Sequence, residues 1–336
     1  MRVLVTGAAG FLGRALVREL VRAPAGAAPA GFDASTMPRA GATALELVLT
    51  DRATASTDAA QSLVAPAGMR RIAGDIADAA LLDRLFAEPP DVVFHLAGIV
   101  SGAAEADYAA GKRVNLDATI ALLERCRLQT ERGGPTPRFV YASSIAVFGT
   151  PLPRRIDDAT APAPTLSYGT HKRACELLID DCTRRGYIDG RALRLSGIVV
   201  RPPLDNGALS GFNSDLIREP LAGRDYLCPV SPEATIWIAS LRHAIANLLR
   251  IARAETLSAQ RALTMPSLAV SVAEIVAALA KIDRRAPDHI RYRPDPKLEA
   301  QFGRWPLDCR FDRGVALGLE ADASIDELLR AHLESA

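Results

Sequence analysis

Short apolar runs alternate with segments of helical period through the first two hundred residues of this 336-residue chain. Residues 3–5, 45–49, 71–73, 91–97, 139–142 and 192–195 read as strands, and 11–21, 103–128 and 167–185 as helices. The strands are apolar throughout and do not alternate with polar positions. That marks a sheet buried on both faces, hence parallel, with helices crossing over each side. The pattern predicts an α/β fold built on a doubly wound parallel sheet. Beyond Arg201-Pro202-Pro203 the elements shorten, with helices near 212–221, 240–254, 271–283 and 324–333 and strands near 226–228, 235–238, 261–264 and 289–292. This reads as a smaller C-terminal α/β lobe over the end of the sheet, where doubly wound folds bind substrates. The division falls at 1–200 and 201–336, with some late segments returning to the first unit. Residues 23–43, rich in Ala, Pro and Gly, interrupt the alternation and read as a surface insertion.

Composition narrows the partners. Lys and Arg total 40 against 39 Asp and Glu, a net charge of +1 that fits neither a nucleic acid nor an anionic membrane as the main partner. Only Lys112, Lys172, Lys281 and Lys297 are lysines, so a lysine at a helical offset from a tyrosine stands out. The five cysteines (Cys126, Cys175, Cys182, Cys228, Cys309) show no C-x-x-C spacing, so they read as reduced and packed, and no metal is expected. Met1 leads straight into a strand pattern with no leader-like segment, and no apolar run is long enough to span a bilayer; a cytoplasmic location is expected.

The chemistry begins at Thr6-Gly7-Ala8-Ala9-Gly10-Phe11-Leu12-Gly13, between the first strand and the first helix. Gly7, Gly10 and Gly13 allow a tight turn, close backbone approach to a pyrophosphate and close helix packing, and the N-terminus of the helix attracts the phosphates. This points to a Rossmann dinucleotide site in which Phe11 and Leu12 join the glycines. Asp51 follows the second strand, 38 residues after Gly13 because of the insertion, where a carboxylate accepts hydrogen bonds from the adenine ribose. It favours NAD, while the adjacent Arg52 leaves NADP open. Asp75-Ile76 follows the third strand, where a carboxylate either meets the adenine amino group or is solvated. His95-Leu96-Ala97-Gly98 ends the fourth strand along the cofactor, and His95 reads as a packed histidine.

Tyr168 and Lys172 stand four apart on a predicted helix, hence on one face. A tyrosine, with a pKa of about 10, acts as a base near neutral pH only if its phenolate is stabilised. The Lys172 ammonium and an oxidised nicotinamide can do that. Together with Val114-Asn115, Phe139-Val140-Tyr141-Ala142-Ser143-Ser144 and the closing Ala316-Leu317-Gly318, these motifs make the chain resemble the extended short-chain dehydrogenases and reductases along its whole length. The resemblance implies that Ser144, or its neighbour Ser143, hydrogen-bonds the reacting hydroxyl and that Lys172 also holds the nicotinamide ribose. It implies a cofactor lined by Leu96, Ala97, Gly98 and Asn115, and a homodimer through the 103–128 and 167–185 helices.

Dehydratases of this family carry Asp-Glu after the catalytic serine or threonine. Here Ile145-Ala146 stands there and cannot move protons. Epimerases need no such pair, although Trp237-Ile238-Ala239-Ser240-Leu241-Arg242-His243 replaces the acidic stretch usual in their second lobe. The segment Arg201 to Phe212, continuing to Leu221, resembles a branch that oxidises the C2 hydroxyl of a four-carbon sugar acid. A sugar-acid carboxylate needs a cation or several donors when it is desolvated. Arg218 and Arg242 are the candidate cations, with Asn206 and Ser210 as neutral donors. The alternatives are a nucleotide-sugar 4-epimerase that retains its NAD and a dinucleotide sensor, which would tend to lack the Tyr168–Lys172 pair.

Overall fold

The computed structural model describes residues 1–22, 45–52, 68–203, 209–255, 257 and 259–335. Seven parallel strands form the central sheet: β1 (Arg2–Thr6), β2 (Glu46–Asp51), β3 (Met69–Ala73), β4 (Val92–His95), β5 (Arg138–Ser144), β6 (Asp189–Leu195) and β7 (Ala262–Thr264). Their spatial order is β7-β6-β5-β4-β1-β2-β3. The chain winds outward from β1 to β3, then returns to β4 on the other side of β1. The crevice for a ligand opens at that reversal, beyond the carboxyl ends of β1 and β4.

Burial on both faces follows from the apolar runs. Val3, Val5, Val140 and Leu193 pack against Leu16 and Leu20 of the helix Phe11–Val21 and Leu248 of the helix Leu241–Arg253. On the opposite face Leu4, Val93 and Phe139 meet Leu122 of the helix Ala118–Glu131 and Ile179 of the helix Ser167–Arg184. The insertion at 23–43 lies outside the described residues.

The second lobe gathers a separate core around Leu216, Ile236, Ile275 and Leu328. Its three-stranded sheet orders Leu268–Ser271, Thr235–Ser240 and Gly197–Val199. Two-stranded ribbons pair Ile290–Tyr292 with Tyr226–Cys228, and Asp308–Arg310 with Arg155–Asp157. Two expectations need correction. The strand near 261–264, assigned to the second lobe, extends the main sheet as β7, pairing Leu263 with Leu193. The single helix expected over 103–128 is broken into Ser101–Ala106, Tyr108–Lys112, a π-turn Arg113–Asp117 and Ala118–Glu131, because Asp107 leaves helical geometry to cap the second piece through Ala110 N at 2.9 Å. The short helix Ala79–Leu85, capped by Asp78, was not expected. The five cysteines are free, and no described helix is long and apolar enough to cross a membrane.

Candidate active site

The turn after β1 is shaped by what its glycines leave out. Gly7 has φ +70, and a Cβ there would sit 2.7 Å from the Ala97 amide. A Cβ on Gly13 would sit 2.1 Å from the Gly7 carbonyl oxygen, so the first helix can press against the turn only without a side chain. Gly10 caps the helix with no side chain, so the first-turn amides keep their hydrogen-bonding capacity. Gly10, Phe11, Leu12 and Gly13 line a cleft of about 360 Å³. Free amides, the positive end of a helix and backbone bared of Cβ atoms make a fitting cradle for a dinucleotide pyrophosphate.

Asp51 ends β2 and folds back over this turn, accepting from Ala9 N at 2.9 Å and Arg52 N at 2.7 Å. Arg52 is exposed beside it. Asp75 is already engaged: Ala77 N donates to Oδ1 at 3.0 Å and Arg113 to Oδ2 at 2.6 Å. Burial works against its ionisation, but the Ala77 amide and the Arg113 and Arg52 charges outweigh that and hold its carboxyl below the usual range. Ile76 packs into the core with Leu81 and Leu82. Leu96 and Gly98 line the cleft, and Ala97 backs Gly7. Asn115 does not line it: from the π-turn its side chain accepts from Ile99 N at 2.8 Å and donates to Ile99 O at 2.9 Å. It positions the 96–99 loop that borders the cleft. His95 is a packed histidine bonded to Thr6 at 2.7 Å and Thr119 at 3.0 Å. Burial, with Lys172 nearby, pulls it down to about 3.

The helix Ser167–Arg184 brings Tyr168 and Lys172 to the ends of β4 and β5. Gly169 makes this approach possible, since a Cβ there would lie 2.0 Å from the Ala146 carbonyl oxygen. The helix therefore packs onto the turn that follows Ser144. Ser144 accepts from Ala146 N at 3.1 Å and lines the cleft with Tyr168, near enough for its hydroxyl to favour the phenolate. Burial raises the Tyr168 pKa above its ordinary value, only partly offset by the neighbouring Ser144 hydroxyl and the Arg201 charge. Lys172 donates to Ala142 O at 2.8 Å and lies 4.6 Å from the Tyr141 ring centre. Burial pulls its ammonium down to about 8. The Ser143 hydroxyl turns the other way, onto Glu176 at 2.6 Å, so of the two serines Ser144 faces Tyr168.

The far end of the cleft departs furthest from expectation. Arg218 donates to Asp215, to Glu219 at 2.9 Å and to the Arg201 carbonyl at 2.6 Å, and it does not line the cleft. Its charge is spent on acids within one helical turn. Arg242 is exposed and lines another groove, beside Arg18 and His332, because the first turn of its helix points away from the sheet's crevice. Asn206 lies outside the described residues, and Ser210 lines the cleft. The cation that does reach it is Arg201, held by Ile198 O at 3.0 Å and Ser210 Oγ at 3.2 Å. Burial lowers its pKa, while the charges of Tyr168 and Asp215 raise it. In the sequence Arg201 marks only the start of a distinctive segment; its place just after the strand Gly197–Val199 was the usable signal. Trp237, Trp305 and Gln301 complete this end and were not anticipated as site residues.

The profile of the NAD dependent epimerase/dehydratase family matches residues 3–226. The chain is 40% identical over 339 residues to the D-erythronate dehydrogenase of Cupriavidus necator, covering 100% of this chain and 99% of that one. It is 36% identical over 256 residues to the D-erythronate dehydrogenase of Haemophilus influenzae, covering 75% of this chain and 80% of the relative. A crystal structure described as a nucleoside-diphosphate-sugar epimerase from Agrobacterium tumefaciens superposes with a TM-score of 0.84 at 35% identity, covering 99% of this chain and 94% of that one. The chain therefore belongs to the NAD-dependent epimerase/dehydratase family, the extended short-chain dehydrogenases and reductases, and is a nicotinamide-dependent enzyme acting on a CH–OH group.

Proposed function

We propose that this enzyme oxidises the C2 hydroxyl of D-erythronate to 2-dehydro-D-erythronate, with NAD preferred over NADP. The observation that carries the reading is Arg201, a cation at the substrate end of a cleft of about 360 Å³, on the side of Tyr168. A small carboxylate seated on Arg201 brings its neighbouring hydroxyl under Tyr168 and Ser144. The names of the two bacterial relatives support the same substrate. Preference for NAD follows from Asp51, whose carboxylate accepts ribose hydroxyls and repels a 2′-phosphate.

In this mechanism Ser144 and Tyr168 hydrogen-bond the C2 hydroxyl, and the Tyr168 phenolate removes its proton as C2 loses hydride. The bound dinucleotide supplies the hydride acceptor. Lys172, anchored on Ala142 O, stabilises the phenolate by its charge and would donate to the ribose of a bound nicotinamide. Arg201 neutralises the substrate carboxylate and favours the phenolate as well.

The test is NADH formation by the purified protein with NAD and D-erythronate, beside L-threonate, NADP and UDP-sugars. NADH should form with D-erythronate, faster than NADPH forms from NADP, and Tyr168→Phe should lower kcat by ~10³-fold. Epimerisation of a UDP-sugar without NADH release, and silence with every acid, would sink the reading.

A further inference from the structure

One face of the catalytic helix carries a third residue whose role the mechanism leaves unassigned. Tyr168, Lys172 and Glu176 follow each other at four-residue intervals, hence one above another along the helix. Glu176 is fully buried. Its Oε1 accepts from Ser143 Oγ at 2.6 Å and Arg194 Nε at 2.8 Å, and its Oε2 from Arg194 Nη2 at 2.8 Å and Arg173 Nη1 at 3.0 Å. Ser143 and Arg194 are register partners across β5 and β6. One carboxylate thus ties the helix to one rung of the sheet, and that rung adjoins the one bearing Ser144.

Stability does not account for such a group. Desolvating a carboxylate and a guanidinium is costly, and well-packed apolar residues often replace a buried pair without loss. What hydrocarbon cannot supply is direction: three donor contacts from Ser143 and Arg194 on the adjacent strands fix where the helix sits along the sheet, while Arg173 on the same helix gives Oε2 its second donor. The other tie on this face is Lys172 to Ala142 O, made by the ammonium that also serves the phenolate and the ribose. Other ionisable groups surround Lys172: Tyr168 on its own helix, Tyr141 on β5, His95 on β4 and Cys175 beside Glu176.

We infer that Glu176, bonded to Arg194 and Ser143, is the positioning residue of this active site: it holds the helix in register so that Lys172 reaches Tyr168 and Tyr168 reaches Ser144. The clamp also engages Ser143, leaving Ser144 as the hydroxyl for catalysis. A tie of this kind acts on the chemical step and not on capture of either ligand. Releasing it lets the helix drift, and a misplacement near 1 Å is enough to cost on the order of 10²-fold in rate.

The inference rests on the dehydrogenase reading for its rate assay and not for its second readout. Glu176→Leu combined with Arg194→Met removes both charges and keeps apolar volume. Ser143→Ala removes one bond and leaves the ion pair intact. The double variant should keep a melting temperature within a few degrees of the parent, lose kcat by roughly 10- to 100-fold, and keep KM for the acid and Kd for NAD within about threefold. Ser143→Ala should lose kcat several-fold with the same split.

The second readout is the pH titration of Tyr168 phenolate absorbance in the NAD-bound protein, taken as a difference from Tyr168→Phe. In the double variant this ionisation should move up by about one unit as Lys172 withdraws. A folded double variant with parental kcat and parental titration overturns the inference. If the double variant does not fold, Ser143→Ala decides: parental kcat and titration again overturn it. Should the parent be silent with D-erythronate, the substrate reading falls, while the titration still tests the positioning.

Discussion

The glycine turn and the Arg201 corner close the two ends of one cleft, and they meet their ligands with different parts of the chain. At the cofactor end the groups on offer are main-chain amides, exposed because Gly7, Gly10 and Gly13 carry nothing to cover them. That end is also the middle of the main sheet, since His95 ends the central strand and Thr6 the strand beside it. At the substrate end the groups are side chains from segments far apart in sequence: Arg201, Ser210, Trp237, Gln301 and Trp305. Backbone geometry fixed by the fold suits a ligand that does not change within a family. Side chains on a separate lobe can be exchanged without disturbing the sheet. Damage at the cofactor end should therefore reach folding and cofactor affinity, and damage at the substrate end should stay in KM for the acid.

The harshest test of that division is Gly13→Ala. Its Cβ would enter to 2.1 Å of the Gly7 carbonyl oxygen, a backbone atom that cannot swing aside. The helix must back away from the turn, and its amides leave the pyrophosphate. NAD affinity measured by calorimetry should fall by more than ~10²-fold, with a lower melting temperature. Affinity within tenfold of the parent would mean that the turn yields easily and the contrast with the other end is weaker than drawn.

The substrate end is sharpened by comparing three arginines. Arg201→Met removes the cation at the substrate end of the cleft and should raise KM for D-erythronate by ~10- to 100-fold, the worth of a charged hydrogen bond, with NAD affinity unchanged. The acid limb of kcat/KM should also move to higher pH, because the Arg201 charge favours the Tyr168 phenolate. Arg242→Met should leave KM within twofold. Arg218→Met, which loses the tie behind Arg201 together with its pairs to Asp215 and Glu219, should fall between them. Equal effects from Arg201 and Arg242 would overturn the assignment of the corner.

These differences explain how far the sequence could be read. The glycine turn is contiguous, and Tyr168 and Lys172 are one helical turn apart, so local spacing identifies both. Asp51 needed the insertion to be recognised before its distance from Gly13 made sense. The seven-stranded sheet was legible from continuous apolar runs, except that Ala262–Thr264 is too short and too late in the chain to reveal which sheet it joins. The π-turn at Asn115 leaves no trace in hydrophobic period. Arg218 and Arg242 were plausible by charge alone in a chain with 40 basic residues. What separates them from Arg201 is pairing and direction: Arg218 is taken up by Asp215 and Glu219 on its own helix, a local pairing, whereas the direction of Arg201 into the cleft is set by the tertiary fold. Trp305 and Gln301 reach the cleft from the end of the chain, where no spacing rule connects them to Tyr168.

The smallest effect comes from the hinge of the cofactor end. His95 joins Thr6, where the glycine turn begins, to Thr119 on the helix after the π-turn, and it is held neutral by burial with a pKa of about 3 against an ordinary 6.5. The sign follows from where protons bind. Below pH 6.5 the unfolded chain takes up a proton at this position and the folded chain does not, so stability falls as pH drops from 6.5 and stops falling only near 3. By pH 5.5 the loss amounts to ~1.4 kcal/mol, or about 2 °C in melting temperature for a chain of this length. His95→Gln keeps groups for both threonines and has nothing to titrate. Its melting temperature should change about 2 °C less than the parent's between pH 7.5 and 5.5, while KM for D-erythronate stays constant. If instead the substitution raised that KM and left the pH dependence of melting unaltered, the two ends of the cleft would be coupled through β4, and the separation between a backbone-built cofactor end and a side-chain-built substrate end would have to be abandoned.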